Sequence, residues 1–429
     1  MVLLLRSHFC FFYPNPTFSL SELTDYLNVM TSKLVFWLLL FIVFYSYFGY
    51  GILLFFLVKI KRLFSKSTDS IPKISFQQDL PEVTFMVAAF NEEDWIEDKI
   101  RNSLELDYPK SKIRFFFVTD GSNDATTELI RSFSAKNPKI TEGVSIEVFH
   151  QPERRGKIAA VERVMPFVKT PIVVFTDANT DLNPEAIKNI VRHYADPTVG
   201  AVAGEKRVRM SGEASGAGEG IYWKYESLLK KWDSELYSVV GAAGELFSLR
   251  TALYLPVEKD TLIEDFVMTL RIAQKGNRVI YEPEAYAVEG HSENVKEELK
   301  RKIRISAGGL QAIWRLRDLL NPFKYGTLSF QYISHRVLRW TLAPAALPII
   351  FILNILIAKE STFYTYILWC QIFFYAAAVL GWIFEQNKVK VKAFYVPYYF
   401  CMMNYSVYRG LIRLIKGSQS VVWDKAKRA

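Results

Sequence analysis

The chain has 429 residues, which is enough for more than one domain of about 100–200 residues. Half of the residues are apolar and 15% are aromatic, so we expect lipid-facing surface in addition to a soluble core. The formal net charge is +9, yet no basic groove with interleaved aromatic residues accompanies it, and the three cysteines lie outside the polar middle of the chain, so we expect neither nucleic-acid binding nor a disulfide framework there.

The first predicted membrane helix covers residues 34–58, a nearly uninterrupted apolar run followed by Lys59, Lys61 and Arg62. Residues 1–33 are predicted to be an N-terminal extension. They are too poor in apolar residues and too broken by prolines to span a bilayer, and they lack a secretory cleavage site, with Met30 as an alternative start of translation. The cations after residue 58 place the following region in the cytosol.

Residues 81–295 alternate between short apolar runs and amphipathic segments. Strands are predicted at 83–90, 113–120, 145–151, 171–177 and 199–207, with helices such as 92–106 and 124–136 between them. This order predicts an α/β fold with a mostly parallel sheet and flanking helices. Ligands of such sheets bind at the carboxyl ends of the strands.

The region after the predicted sheet domain is apolar and basic. Residues 296–320 are predicted to form amphipathic helices at an anionic membrane surface, divided in two by Gly308 and Gly309. Residues 337–415 contain apolar stretches at 337–358, 362–384 and 393–415, which predict two or three spans, and 416–429 form a basic tail. Because the last stretch is interrupted by polar residues, a re-entrant or interfacial course stays open for it.

Polar residues follow the first two predicted strands. The segment AAFNEED, residues 88–94, joins a strand to a helix and could hold a nucleotide through its backbone and Asn91 or Glu92; alternatively Asn91 only caps the helix. In VTDGSND, residues 118–124, Asp120 ends a strand and Gly121 permits a sharp turn, so the carboxylate is available to a base or ribose. The alternative is that Asp120 stabilises only its own turn.

The fourth predicted strand ends in FTDANTD, residues 175–181. Asp177 and Asn179 are oxygen-bearing side chains that could share a hard cation such as Mg²⁺ or Mn²⁺ with a diphosphate, although an Asx turn explains Asn179 equally well. Upstream, Lys157 follows PERRG at a predicted helix start, where an ammonium and free amides could bind phosphate. Arg154 and Arg155 are alternative cations for this role, and a solvated basic loop is the plainer alternative for the segment.

Glu264 and Asp265 are adjacent carboxylates at the start of a helical pattern, LIEDFVMTLRIAQKG. Neighbours in a helix point in different directions, so one can act on a substrate while the other supports it. Stabilisation of the helix dipole is the plainer alternative.

Taken together, the order and strand-end placement of these motifs resemble glycosyltransferase family 2, an inverting family with the GT-A fold, over residues 83–316. Within that family the sequence looks most like membrane synthases of bacterial exopolysaccharides, such as poly-N-acetylglucosamine, cellulose and hyaluronan synthases. The resemblance implies a GT-A-type sheet domain and a UDP-sugar donor.

On the donor side, AAFNEE resembles the opening nucleotide-binding segment, which implies donor contacts at Ala88, Phe90, Asn91 and Glu92. Asp120 matches the carboxylate that holds the uridine end.

FTDANTD resembles the D-x-D motif, with Asp177 first and Asn179 last, which implies a divalent metal, Mg²⁺ or Mn²⁺. RKIRI resembles the processivity signature; it adds Arg301 and Arg304 as donor contacts and has Ile305 where tryptophan is usual.

On the acceptor side, residues 241–250, GAAGELFSLR, look like the glycine-rich acceptor segment and imply contacts at Gly241 and Gly244. Glu264–Asp265 resembles the T-E-D motif, which implies that both are catalytic, with Asp265 as the general base and Glu264 also on the acceptor.

The resemblance implies a multi-pass protein of the inner (cytoplasmic) membrane with a cytosolic catalytic domain. It would transfer a hexose or N-acetylhexosamine to a growing β-linked exopolysaccharide, in contact with membrane lipids and with accessory export proteins as candidate partners. Transfer of one sugar to a lipid acceptor is the nearest alternative, and a noncatalytic scaffold or transporter is the remaining one.

Overall fold

The computed structural model describes residues 20–64, 80–209, 214–290, 294–387, 389 and 391–417. Most of the predicted N-terminal extension and nearly all of the predicted basic tail lie outside these residues.

Within the described residues, eight strands form a single sheet with the order β3-β2-β1-β4-β7-β6-β8-β5. The strands are β1 Val83–Ala89, β2 Ile113–Asp120, β3 Ser145–Gln151, β4 Ile172–Asp177, β5 Thr180–Leu182, β6 Val199–Val208, β7 Leu246–Arg250 and β8 Arg278–Glu289. β3, β2, β1 and β4 are parallel neighbours, whereas β7 runs antiparallel to both β4 and β6. β8 is parallel to β6 and antiparallel to β5. The predicted α/β fold is confirmed, with a parallel half and a mixed half.

Helices cover the sheet and continue beyond it. They are α1 Leu20–Phe44, α2 Tyr50–Phe64, α3 Ile96–Leu104, α4 Thr126–Lys136, α5 Pro138–Thr141, α6 Lys157–Val164, α7 Ala186–Val191, α8 Ala214–Leu236, α9 Glu264–Gln274, α10 Val295–Arg315, α11 Pro322–Tyr325, α12 Thr327–Tyr332, α13 Leu338–Trp340, α14 Leu342–Ile357, α15 Thr362–Gln386 and α16 Lys392–Ile415. Two π-helical turns, Tyr45–Gly49 and Ile333–Val337, join α1 to α2 and α12 to α13.

The sheet has an apolar core on each face because successive side chains of a strand point to opposite sides. In β2, Phe115 and Phe117 belong to one core, while Phe116 and Val118 belong to the other. Phe116 and Phe117 are 1% and 0% exposed, so both faces of this strand are covered. The IRFFFVTD segment is therefore a continuous apolar run rather than an alternating one, as expected for a buried parallel strand.

The predicted break at Gly308 and Gly309 is wrong, because α10 runs without interruption from Val295 to Arg315. The glycines serve close packing instead. A Cβ at Gly308 would lie 2.9 Å from Ile263 Cγ2, and one at Gly309 would lie 2.5 Å from Trp340 Cδ2. Both residues are buried, so burial of neighbouring side chains outweighs the low helix propensity of glycine.

By length and composition, three helical segments of the described residues could cross a membrane: Leu23–Phe64, Leu342–Glu360 and Thr362–Gln386. The predicted span at 34–58 is thus the middle of a longer helical segment. The apolar stretch predicted at 393–415 forms α16, which is not one of the three. It packs against α10 instead, with Tyr395, Tyr399 and Met402 clustered around Val295.

A buried polar cluster joins α2 to α8 of the sheet domain. Asp233 of α8 accepts a hydrogen bond from the Tyr50 hydroxyl and lies 2.6 Å from His335 Nδ1. His335 Nε2 is 3.2 Å from Glu226, which also lies 2.5 Å from Arg336. Asp233 and His335 are 0% exposed, so their polar atoms need hydrogen-bond partners within the protein. They hold α2, α8 and the second π-helical turn together.

Candidate active site

A cavity of about 210 Å³ opens at the carboxyl ends of β1, β2 and β4. Nine of the residues predicted from the sequence line it: Ala88, Phe90, Glu92, Asp120, Lys157, Asp177, Asn179, Glu264 and Arg304. They converge because the three parallel strands end at one edge of the sheet, where Ala88 is in register with both Val118 and Asp177.

Asp120 is held by the backbone of the loop that precedes α6. Its Oδ2 accepts hydrogen bonds from the amides of Arg155 at 2.8 Å and Gly156 at 2.6 Å. Its Oδ1 lies 3.5 Å from Arg163 and, within the described residues, accepts no hydrogen bond although it is buried. A buried acceptor of this kind at a cavity wall suits an N–H or O–H group of a bound molecule.

Lys157 links the donor-side and acceptor-side carboxylates. Its Nζ donates to Asp177 Oδ1 at 2.8 Å and lies 2.9 Å from Glu264 Oε1. Burial by itself would lower the pKa of Lys157, but the charges of Asp177 and Glu264 raise it above its ordinary value. Burial would likewise raise the pKa of Glu264, but Lys157 and Arg304 hold it below its ordinary value. Lys157 and Glu264 therefore form an ion pair at neutral pH, with Asp177 as the second hydrogen-bond partner of Lys157.

Asp265 differs from its neighbour Glu264. Burial, together with the Glu264 carboxylate, raises the pKa of Asp265 to about 7. It does not line the cavity itself, but a Cβ added at Gly244 would lie 3.5 Å from Asp265 Oδ2 and 3.4 Å from Lys157 Nζ. A carboxyl group that titrates near neutral pH beside a cavity is suited to proton transfer.

The two arginines of the RKIRI segment separate. Arg304 lines the cavity, and burial lowers its pKa against the opposing charges of Glu264, Asp265 and Asp177. Arg301 does not line the cavity; its guanidinium donates to Glu298 at 3.0 and 3.1 Å, one turn back on α10.

Asn91 lies in the loop after β1, outside the lining of the cavity. It has a left-handed φ of 51°, and its Nδ2 donates to Asn123 Oδ1 at 2.7 Å. Its own Oδ1 accepts from the Asn123 amide at 3.0 Å. It is neither a lining residue of the cavity nor the cap of α3, since α3 begins only at Ile96 after Trp95. Asn91 instead ties together the loops after β1 and β2.

Gly241 lies behind the cavity. Its φ is +86°, and a Cβ there would lie 2.1 Å from Phe266 Cδ2. Only glycine fits this position, which lets the 241–245 segment pass close to the start of α9. Gly241 and Gly244 therefore shape the wall beside Asp265.

The residues available for a metal are one carboxylate and one amide oxygen, Asp177 and Asn179, at the end of β4. Among the described residues, no group of three or more His, Cys, Asp or Glu side chains is arranged to hold a metal. Oxygen ligands of this number fit Mg²⁺ or Mn²⁺ bound jointly with a diphosphate, since such cations keep several positions for phosphate oxygens and water.

Arg154, which the sequence offered as an alternative to Lys157 for binding phosphate, lines the cavity: its guanidinium lies 3.6 Å from the centre of the Phe90 ring, which forms a stacked wall of the cavity. Other lining residues were not predicted from the sequence. Glu289 also lines the cavity and pairs with the buried Lys206. No local pattern singles out Glu289, because β8 was not predicted and the end of that strand could not be placed.

The known proteins to which this chain is similar match it over the region that holds the cavity. The family model described as glycosyltransferase like family 2 matches residues 81–308, more than half of the chain. The chain is 29% identical over 253 residues to the poly-beta-1,6-N-acetyl-D-glucosamine synthase of Staphylococcus aureus strain MSSA476, which covers 57% of this chain and 58% of the relative. Against the Staphylococcus epidermidis synthase of the same name it is 24% identical over 317 residues, which covers 72% and 74%.

Among solved structures, the chain is similar to the mannosyltransferase PcManGT from Pyrobaculum calidifontis in complex with GDP-Man and Mn²⁺, with a TM-score of 0.66 and 22% identity. That match covers 90% of this chain and all of the other, so the two share the fold, including the helices outside the sheet domain. From the family match over its sheet domain, the chain belongs to glycosyltransferase family 2.

Proposed function

We propose that the protein is an inverting glycosyltransferase that moves a hexose or N-acetylhexosamine from a UDP-sugar to a growing β-linked exopolysaccharide. The observation that carries the proposal is the cavity at the strand ends, where Asp120, Asp177 and Glu264 meet with Asp265 behind Gly244. The staphylococcal relatives are poly-beta-1,6-N-acetyl-D-glucosamine synthases by name, and the chain spans 58% of the length of the first of them.

The donor is expected to lie along the β1, β2 and β4 ends. Asp120 would accept a hydrogen bond from the base or ribose through its buried Oδ1, and the Phe90–Arg154 stack would line the same end of the cavity. Lys157 and Arg304 would contact the diphosphate. A divalent cation, Mg²⁺ or Mn²⁺, held by Asp177 and Asn179 would supply charge neutralisation for the departing diphosphate.

Asp265 is the proposed base. Its carboxylate would accept the proton of an acceptor hydroxyl while that oxygen forms a bond to the anomeric carbon and the bond to UDP breaks. One in-line displacement inverts the anomeric configuration, so an α-linked donor would give a β-linked product. Glu264, ionised and paired with Lys157, would help to hold the acceptor and keep Lys157 charged.

For the whole chain, we propose a multi-pass protein of the cytoplasmic membrane with the sheet domain on the cytosolic side. The three apolar helical segments and the cations at the end of α2, Lys61 and Arg62, support this orientation. Membrane lipids are then direct contacts, and accessory export proteins remain candidate partners.

A second candidate function is transfer of a single sugar to a lipid acceptor. Ile305 favours it, because the exopolysaccharide synthases that the sequence resembles carry a tryptophan there on which a sugar could stack. The donor residues are the same for both functions, so only the product separates them.

The test is a panel of UDP-sugars incubated with the purified full-length protein, with UDP release measured in Mg²⁺ and in Mn²⁺ and the product sized. High polymer supports the synthase, and a single lipid-soluble band supports the second candidate. Asp265→Asn and Asp177→Ala should each abolish most UDP release, whereas Asp181→Asn should not, because Asp181 is a solvent-exposed carboxylate paired with Arg209. Wild-type transfer by Asp265→Asn, or transfer by Asp177→Ala that remains independent of divalent metal, would contradict the assigned roles.

A further inference from the structure

Lys99 is a fully buried lysine directly beneath the turn that carries Asp177 and Asn179. It lies on α3 and is 1% exposed. Lysine is almost never this buried unless its ammonium is paired. Within the described residues no carboxylate lies within ion-pair distance of Lys99, so its hydrogen bonds go to uncharged oxygens.

Those oxygens belong to the two ends of the turn. The Lys99 Nζ donates to the Thr180 carbonyl at 2.7 Å, to Thr176 Oγ1 at 3.1 Å and to Thr180 Oγ1 at 3.2 Å. Thr176 lies immediately before Asp177, and Thr180 immediately after Asn179. One ammonium therefore binds the chain on both sides of the two proposed metal ligands.

The two hydroxyl groups join the Lys99 contacts to the neighbouring backbone. Thr180 Oγ1 donates to the Asp177 carbonyl at 2.9 Å, and Thr176 Oγ1 donates to the Glu245 carbonyl at 2.9 Å. The two hydroxyl oxygens also lie 3.1 Å apart, within hydrogen-bond distance of each other. The Lys99 ammonium, donating to both, makes this arrangement favourable. The Glu245 carbonyl extends the network to the 241–245 segment beside Asp265.

Burial lowers the pKa of Lys99 to about 7, while the charges of Asp177 and Asp181 act in the opposite direction. Burial therefore disfavours the charged form of Lys99 in this site. A neutral side chain of similar length could fill the same volume, so packing alone does not explain the ammonium.

We propose that Lys99 is a positioning residue, which fixes the Asp177–Thr180 turn so that Asp177 and Asn179 face a divalent cation and the donor diphosphate together. This inference rests on the proposed function for the identity of the bound cation and donor. Residues that orient metal ligands from behind typically change metal affinity or activity by about 10- to 100-fold when replaced.

The experiment compares Lys99→Met with a matched control, Ser103→Ala, in the full-length protein. Ser103 is 1% exposed on the same helix, and its hydroxyl donates to the Lys99 carbonyl, so the control removes a buried hydrogen bond without touching the turn. Mn²⁺ binding in the presence of UDP is measured by the loss of the free Mn²⁺ paramagnetic resonance signal. The kcat and KM for UDP-sugar and the melting temperature are measured in parallel.

We expect Lys99→Met to weaken Mn²⁺ binding by about 10-fold or more and to raise the donor KM more than it lowers kcat. Ser103→Ala should lower the melting temperature and leave Mn²⁺ binding and KM at wild-type values. Thr176→Val, which removes one acceptor of Lys99 and leaves both Lys99 and the hydrogen bond from Thr180 to the Asp177 carbonyl in place, should weaken Mn²⁺ binding in the same direction by a smaller factor, and it is the deciding variant if Lys99→Met does not fold.

Mn²⁺ binding and donor KM within twofold of wild type in Lys99→Met, or in Thr176→Val if Lys99→Met does not fold, would overturn the positioning role while leaving the proposed function intact. A wild-type protein that neither binds Mn²⁺ with UDP nor releases UDP from any UDP-sugar would overturn the proposed function itself. The two failures are thus distinguishable.

Discussion

Replacement of Glu264 by glutamine should move the acid limb of the pH–activity profile to lower pH. Asp265 must be ionised to act as the base, and its pKa is raised from 3.8 to about 7 by burial and, next, by Glu264. That rise corresponds to about 4 kcal/mol against ionisation, at about 1.36 kcal/mol per pH unit. Burial is the larger cause and the Glu264 charge the next, and one nearby like charge contributes on the order of 1 kcal/mol, or about one pH unit.

The direction in which the acid limb moves follows from the charge that Asp265 must carry. In the wild type, kcat/KM should be at its plateau above pH 7 and fall tenfold per pH unit below it, because protonated Asp265 cannot accept the acceptor proton. Removing the Glu264 charge favours ionised Asp265, so the fall should begin about one pH unit lower. The plateau should also drop, since Lys157 loses one of its two carboxylate partners, but the position of the limb is a separate readout.

The assay is UDP release from the preferred UDP-sugar between pH 5 and 9 at constant ionic strength, with kcat/KM taken from the initial slopes. Glu258→Gln is the matched control, because Glu258 lies 2.5 Å from Arg271 near the opposite end of α9 and outside the cavity. The acid limb of the Glu258→Gln profile should coincide with that of the wild type. A wild-type profile that is flat between pH 6 and 8, or a Glu264→Gln limb at unchanged or higher pH, would refute the reasoning.

Two further predictions concern stability. Gly241→Ala should destabilise the protein more than Gly276→Ala, although both glycines have positive φ, because a Cβ at Gly241 would lie 2.1 Å from Phe266 Cδ2 and one at Gly276 would meet no atom within 4 Å. We expect about 1–2 kcal/mol for Gly276→Ala and at least another 1–3 kcal/mol for Gly241→Ala, measured by thermal unfolding in detergent, and equal losses would contradict the packing argument. His335→Asn should lower stability by about 1–3 kcal/mol because it removes the one buried side chain that contacts both Asp233 and Glu226, although Tyr50 still donates to Asp233 and Arg336 still pairs with Glu226. For His335 a melting temperature equal to wild type would show that the cluster does not hold the helices together.

The sequence alone determined the parallel half of the sheet and the ends of its strands. β1, β2, β3, β4 and β6 were predicted within one residue at each end, because buried strands of this length are apolar and are bounded by turn-forming residues. Since parallel strands end at one edge, the meeting of Asp120 and Asp177 followed from the same pattern.

The strand β8 and the continuous course of α10 were decided only by the tertiary structure. β8 contains Arg278, Pro283 and several glutamates, so its strand character depends on pairing with β6 and β5 rather than on local propensity. Likewise, Gly308 and Gly309 would break an isolated helix, but in the folded protein their close packing against Ile263 and Trp340 stabilises the continuous helix α10.

The separate roles of the site residues are also tertiary. Adjacent carboxylates look equivalent in sequence, yet Lys157 keeps Glu264 ionised while burial raises the pKa of Asp265 to about 7. Lys99 reads as one of many helix lysines, and its position under the Asp177 turn depends on the docking of α3 against the ends of β4 and β5. Charge and burial are properties of three-dimensional surroundings, which no spacing along the chain specifies.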